Sequence, residues 1–158
     1  MAASFAANGE LALCYRLIGD LRQIKIPSIQ PSTPIDGLWQ NTCCEAFISA
    51  TNTTEYREFN FSPSSQWAAY RFGNYRARDE SFQIPMPPVI TCQFLSEGFQ
   101  LEARLPPELL PDSPNLRIGL TAVIETTKGA RSYWALTHCA QMPDFHLRQS
   151  FTLSLDKP

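Results

Sequence analysis

The chain has 158 residues, and 13 lysine and arginine residues against 15 aspartate and glutamate residues give a formal net charge of −2. This length is typical of one domain with a substantial core, so we expect a single domain over residues 1–158. With 44% hydrophobic and 18% charged residues, the composition excludes a disordered chain. The near-neutral charge, with no basic cluster, argues against a nucleic-acid partner.

The sequence shows neither a membrane-spanning segment nor a secretory signal. No apolar run reaches the roughly 18–20 residues that a membrane-spanning helix needs, and the residues before Glu10 lack the basic start of a secretory signal. The 5 cysteines form no CxxC pair, which favours free thiols over disulfides. We therefore expect a cytoplasmic protein without a membrane partner.

Alternation of apolar and polar residues, rather than helical periodicity, dominates the chain. The first predicted strand covers residues 9–18, after an Asn8-Gly9 pair that is typical of a hairpin turn. A proline-rich irregular passage follows it. Further strands are predicted over residues 43–51, 55–62, 67–72, 89–95, 99–105, 116–126, 131–137 and 149–155. Short strands separated by regular turns, with almost no helix, predict an all-β fold, an antiparallel β-sandwich.

The segment 55–62 holds polar residues that strand periodicity places side by side. Tyr56, Glu58 and Asn60 share one face, opposite Phe59 and Phe61. An aromatic ring can cover the apolar face of a sugar, while carboxylate and amide groups bridge its hydroxyls. The alternative is the solvated face of an antiparallel sheet, which shows the same pattern.

Other residues could complete a ligand site. Trp134 could extend the polar face from another strand, and Trp39 and Arg76 stand in loops at strand ends. The two tryptophans would stack on a ligand, although tryptophans in such places also serve as core residues. Arg76 could instead pair with Glu45 or Asp79.

The sequence contains no recognisable catalytic or metal-binding motif. Glu45, Glu58 and Glu102 could supply a carboxylate pair for glycoside hydrolysis, but a chain with 15 acidic residues always offers such pairs. The spacing of His138 and His146 matches no zinc signature. We therefore expect no catalytic residue and no metal ion, and a binding module is favoured over an enzyme.

Three segments of the chain resemble a known family. Residues 36–48 read DGLWQNTCCEAFI, residues 55–76 read EYREFNFSPSSQWAAYRFGNYR, and SYWAL and PDFH follow at 132–136 and 143–146. The WxxTCxExF and YRExNxSP motifs within them are similar to those of DOMON-like domains. The likeness is greatest to the stand-alone bacterial members, which are similar to carbohydrate-binding module family 9, and it extends from about residue 9 to residue 155.

The resemblance implies a β-sandwich whose concave face or strand-end cleft binds a sugar or, elsewhere in the superfamily, a haem. By position, it implies ligand-facing roles for Trp39, Glu45, Tyr56, Glu58, Asn60, Tyr70, Arg76, Trp134 and His146. A haem would use His146 as its axial ligand, but no methionine falls at a motif position that matches a haem ligand. The expectation is therefore no cofactor.

Two departures from the family pattern stand out. DOMON-like domains usually have a strand before the one near Gly9, which this chain is expected to lack. Cys44 also stands where a large apolar residue is expected, which could loosen the packing beneath its strand.

These observations leave three hypotheses for the function of the protein. The first is a non-catalytic module that binds a small saccharide or a similar polar molecule. The second is a haem-binding or redox domain. The third is a protein-interaction domain, for which Trp39 would be buried and no concave pocket would exist.

Overall fold

The computed structural model of residues 1–158 contains eleven β-strands and four short 3-10 helices. The strands are β1 (Ala2–Phe5), β2 (Leu11–Ile18), β3 (Cys43–Ala50), β4 (Tyr56–Phe61), β5 (Trp67–Asn74), β6 (Ala77–Arg78), β7 (Val89–Leu95), β8 (Gly98–Leu105), β9 (Asn115–Glu125), β10 (Arg131–Ala135) and β11 (Leu153–Asp156). The 3-10 helices are Leu21–Gln23, Leu38–Gln40, Pro107–Leu109 and Arg148–Ser150. Each of these helices has three residues, so none of them could span a membrane.

The strands form two antiparallel sheets, and the predicted β-sandwich is confirmed. The smaller sheet has four strands in the order β1-β2-β8-β7. The larger sheet has seven, in the order β10-β9-β3-β4-β5-β6, with β11 also paired to β9. Residues 121–125 of β9 pair with β10, and residues 115–118 pair with β11. Both partners therefore lie along the same edge of β9.

The main core lies between the two sheets. It contains seventeen buried residues, of which fifteen come from alternate positions of the strands that face each other, and Leu109 and Leu110 come from the chain after β8. Cys44 is one of them and is only 2% exposed. Its position in β3 is opposite Phe61 of β4 and Ala122 of β9.

The expected absence of a strand before Gly9 is wrong. β1 pairs with β2, with Ala2 opposite Cys14 and Phe5 opposite Leu11. The turn between the two strands closes with a hydrogen bond of 2.9 Å from the Gly9 amide to the Ala6 carbonyl. Gly9 has a φ of 81°, a conformation that glycine adopts without a steric penalty. A strand of four residues was missed because it is too short for a clear alternation.

The outer face of the larger sheet is covered as well. Leu38, from its 3-10 helix, and Phe145 and Phe151, from the chain after β10, pack against it. Leu38 and Phe151, together with Phe47 of β3 and Tyr56 of β4, belong to a second apolar cluster, separate from the main core, and Phe145 packs against it. The larger sheet is therefore buried on both faces near its centre.

Candidate functional site

A cleft of about 430 Å³ opens on the outer face of the larger sheet. Strands β3, β4, β5 and β9 form its floor, and its walls come from the segment around residues 36–39, β10 and the passage 143–146. The lining residues are Asp36, Trp39, Glu45, Phe47, Glu58, Tyr70, Phe72, Arg76, Arg78, Val123, Tyr133, Pro143, Phe145 and His146.

Two carboxyl groups from neighbouring strands are buried in the floor of the cleft. Glu45 of β3 is 2% exposed and Glu58 of β4 is 5% exposed. Thr121 Oγ1 of β9 donates a hydrogen bond of 2.9 Å to Glu45 Oε2. Asn60 Nδ2 donates one of 2.7 Å to Glu58 Oε1. Each carboxyl group therefore has one oxygen bonded within the protein.

Both carboxyl groups hold their protons at unusually high pH. Burial, together with the nearby Glu58 carboxylate, raises the pKa of Glu45 to about 8. Burial also raises the pKa of Glu58 to about 7, although the hydrogen bond from Asn60 opposes the rise. A protonated carboxyl group both donates and accepts hydrogen bonds. Near neutral pH the floor therefore offers donors and acceptors rather than two full negative charges.

His146 connects the floor of the cleft to the residues beneath it. Its Nδ1 lies 2.8 Å from the Tyr56 hydroxyl, and its Nε2 lies 3.7 Å from Glu58 Oε2. Burial, with the charge of Arg76, lowers the pKa of His146 to about 4, so the ring is neutral at pH 7. The Tyr56 hydroxyl accepts a hydrogen bond of 3.0 Å from the Arg76 amide. Its own proton can then go to Nδ1, which leaves the Nε2 proton directed at Glu58.

Two ion pairs stand at the rim of the cleft. Arg76 Nη2 donates to Asp144 Oδ1 at 2.9 Å, and the same oxygen accepts a hydrogen bond of 3.1 Å from the His146 amide. Arg78 lies 3.5 Å from Asp36 and stacks over the Tyr70 ring, 4.4 Å from its centroid. The rim arginines are thus neutralised by rim aspartates, and neither pairs with Glu45 or Glu58.

Aromatic rings stand at the mouth of the cleft. Trp39 is 50% exposed and Tyr133 is 44% exposed, although both line the cavity. Tyr133 packs against Phe145, with ring centroids 6.2 Å apart. Large rings in such positions are free to cover the apolar face of a bound molecule.

Most of the predicted site residues come together in the cleft. Trp39, Glu45, Glu58, Tyr70, Arg76 and His146 line it. Tyr56 and Asn60 are fully buried beneath it, where they hold His146 and Glu58 through the hydrogen bonds described above. Trp134 does not belong to the cleft, because its side chain lies on the opposite face of β10 from Tyr133.

Several alternatives from the sequence can now be decided. The stripe of Tyr56, Glu58 and Asn60 is not a solvated sheet face, because all three residues are buried. Arg76 pairs with Asp144 rather than with Glu45 or Asp79. Each alternative depended on which loops cover the sheet, which strand periodicity cannot show.

Some lining residues were not among the predicted site residues. Asp36 opens the first family-like segment, and Phe145 lies in the PDFH segment, so the resemblance covers both residues. Tyr133 and Trp134 lie on opposite faces of β10, and the sequence does not show which of the two faces the cleft. Arg78 carries no sequence signal, since its strand, β6, has only two residues and lies in a charged stretch of the chain.

The residues of the cleft do not fit a haem. An axial ligand needs a nitrogen that faces open space on the side of the metal. Both ring nitrogens of His146 are instead directed at Tyr56 and Glu58, and the ring edge packs against Phe47 and Phe72. Elsewhere, no group of three or more His, Cys, Asp or Glu side chains is arranged to hold a metal ion.

Among solved structures, the chain is similar to a protein from Bacteroides uniformis that is named a "putative carbohydrate-binding protein". The TM-score is 0.70, with 15% sequence identity, over 94% of this chain and 73% of that chain. A likeness at this identity shows the fold alone. No protein-family model matches the chain, and no curated protein does. Membership of the DOMON-like family therefore stays a prediction.

Proposed function

We propose that the cleft binds a small saccharide, or a similar polyhydroxylated molecule, and that the protein is a non-catalytic binding module. The observation that carries the proposal is the pairing of two buried carboxyl groups in the floor, Glu45 and Glu58, with exposed rings at the mouth, Trp39 and Tyr133. Sugar-binding sites need both elements, since sugars present hydroxyl groups on their edges and apolar patches on their faces.

The floor suits hydroxyl groups in particular. A sugar hydroxyl donates one hydrogen bond and accepts others, so a site of pure acceptors would leave part of it unsatisfied. Glu45 and Glu58, with pKa values raised to about 8 and about 7, supply donors as well as acceptors. Their partners Thr121 and Asn60 hold the two carboxyl groups in position.

Two further observations support the proposal. The Bacteroides uniformis protein, whose fold is similar, has a name that points to carbohydrate binding. The competing hypothesis of an interaction domain required a buried Trp39 and no concave pocket, whereas Trp39 is half-exposed at the edge of a cleft.

Tryptophan fluorescence tests the proposal. Trp67 is buried and Trp134 is exposed outside the cleft, so a Trp134→Phe variant leaves Trp39 as the exposed reporter. We expect a saturable fluorescence change with one member of a panel of mono- and disaccharides, confirmed by calorimetry. In this background, Glu58→Ala should weaken binding about 5- to 100-fold, since it removes a hydrogen-bonding group at the floor.

Glu102→Ala is the matched control, since Glu102 lies in β8 of the other sheet and does not line the cleft. Its sugar affinity should equal that of the parent. Equal losses in Glu58→Ala and Glu102→Ala, or no saturable signal with any sugar of the panel, would contradict the proposal.

A further inference from the structure

Glu45 and Glu58 lack a positively charged partner, although both are buried in the floor of the cleft. Neither carboxyl group forms an ion pair with a lysine or an arginine. Glu45 accepts its hydrogen bond from Thr121 through Oε2, which leaves Oε1 available to a ligand. The burial of carboxyl groups without counter-ions costs free energy, and a bound cation can offset that cost.

The positive charges around the floor are already balanced by other acidic side chains. Arg76 pairs with Asp144, and Arg78 lies between Asp36 and Glu80, at 3.5 Å and 3.3 Å. The other titratable side chains near the two carboxyl groups are uncharged at pH 7, and they are Cys43, Tyr56, Tyr70 and His146. When the floor ionises, the cleft therefore carries negative charge that no ion pair of the protein balances.

The register of the larger sheet brings the two carboxyl groups together. In the pairing of β3 with β4, Glu45 is opposite Asn60 and Glu58 is opposite Phe47. The two glutamates are therefore diagonal neighbours on one face of the sheet, within reach of each other for side chains of this length. The charge of Glu58 contributes to the raised pKa of Glu45, which agrees with this placement. An ammonium group has three N–H donors and can bind both carboxyl groups at once.

Aromatic rings with faces free of any cation line the same cleft. Trp39 and Tyr133 stand at its mouth, and no lysine or arginine stacks over either ring. Tyr70 differs from them, because Arg78 already lies over its ring. Aromatic faces attract cations, and a site that combines such rings with carboxylates is suited to an ammonium group.

We propose that the cleft binds an amino sugar, with its ammonium group between Glu45 and Glu58 and its ring against Trp39 or Tyr133. This ligand class rests on the saccharide binding proposed above and adds one positive charge to the sugar. The amine binds the carboxyl groups that no protein cation neutralises, and the hydroxyl groups are left for the polar groups of the rim.

Calorimetric titration with matched pairs of hexoses tests the proposal. The pairs are glucose and glucosamine, galactose and galactosamine, and mannose and mannosamine, at about pH 6.5, where a sugar amine is charged. We expect one amino sugar to bind about tenfold more tightly than its neutral counterpart, since hydrogen bonds between charged groups are stronger than those between neutral groups. Cyclohexylamine has a ring of the same size and the charge without the hydroxyl groups, and it should bind more weakly than that amino sugar.

The same titration in two buffers with different ionisation enthalpies counts the protons that binding releases. The pKa values of Glu45 and Glu58 are raised to about 8 and about 7, so both groups are largely protonated at pH 6.5. An ammonium group favours the ionised form of a carboxyl group. The amino sugar should therefore release about one proton, whereas the neutral sugar should release none.

Glu45→Gln keeps the size of the side chain and removes its charge. It should reduce the preference for the amino sugar over the neutral sugar about three- to tenfold, and it should lower the number of protons released. Glu102→Gln is the control, since Glu102 lies in β8 and does not line the cleft, and it should change neither quantity. The proton count of the parent protein decides the matter even where Glu45→Gln fails to fold.

The contradicting outcomes separate this ligand class from saccharide binding itself. Equal affinities within each pair that binds, no proton release, or equal effects of Glu45→Gln and Glu102→Gln would overturn the amino sugar and leave saccharide binding intact. Cyclohexylamine that binds as tightly as the amino sugar would overturn both, because the hydroxyl groups would then contribute nothing. The absence of saturable binding by any neutral or amino sugar would also overturn both.

Discussion

The two faces of the larger sheet are built from the same strands but differ in chemistry. Towards the smaller sheet, β3 and β4 present mainly apolar side chains, among them Ile48, Phe59 and Phe61. Away from it, the intervening residues include Glu45 and Glu58, which are just as buried. The first face packs like an ordinary core, whereas the second buries groups whose desolvation costs free energy. Buried carboxyl groups beside an open cleft are therefore typical of a site rather than of a core.

The inner face should dominate the stability of the fold. Phe59 is fully buried and stacks against Phe61, with ring centroids 6.4 Å apart. We expect Phe59→Ala to lower the free energy of unfolding by about 3–5 kcal/mol, because it leaves a cavity in a close-packed core. Urea denaturation measures the loss. Phe94→Ala, at a position 44% exposed in β7, is the control and should cost about 1 kcal/mol. Similar costs for the two variants would contradict the assignment of the core.

The outer face should make stability depend on pH. The folded pKa values of Glu45 and Glu58 are raised to about 8 and about 7, above the value of about 4.3 for an unfolded chain. The folded state therefore binds more protons between these limits, and the free energy of unfolding falls as the pH rises. His146 has the opposite effect, because its folded pKa is lowered to about 4, but it acts below about pH 6.5.

Between pH 6.5 and pH 8, the effect of Glu45 and Glu58 on stability can be measured with little contribution from His146. Over this window we expect the free energy of unfolding to fall by about 2 kcal/mol, as measured by urea denaturation at the two pH values. Glu45→Gln should show a smaller fall, because it removes the group with the higher pKa. The assigned protonation would be wrong if the variant and the parent lost the same free energy.

A third, smaller effect shows whether Asn60 holds Glu58 in position or contacts the ligand itself. Asn60 is fully buried and donates a hydrogen bond to Glu58. We expect Asn60→Ala to cost about 1–2 kcal/mol of stability, because it leaves a buried carboxyl oxygen without its donor, and to weaken saccharide binding as well. Gln93→Ala removes an exposed amide of β7 and should stay within about 0.5 kcal/mol of the parent. If Asn60→Ala weakens binding with no loss of stability, Asn60 contacts the ligand rather than supporting Glu58.

The sequence by itself determined the fold class and most of the strands. Alternation is a local property, so a run such as residues 99–105 predicts a half-buried strand before any partner is known. The sequence also identified six of the fourteen residues that line the cleft, and three of those six lie within the WxxTCxExF and YRExNxSP motifs. These are Trp39, Glu45 and Glu58. The two shortest strands, β1 and β6, fell below the length at which alternation can be read.

Only the tertiary structure decided what covers each face. Alternation assigns Tyr133 and Trp134 to opposite sides of β10, but which side faces the cleft depends on the sheet that β10 joins. The burial of Tyr56, Glu58 and Asn60 likewise depends on Phe145, His146 and Phe151, which lie more than eighty residues away along the chain. The raised pKa values of Glu45 and Glu58 follow from that burial. Long-range packing creates the chemistry of the cleft, because desolvation depends on neighbours that strand periodicity cannot identify.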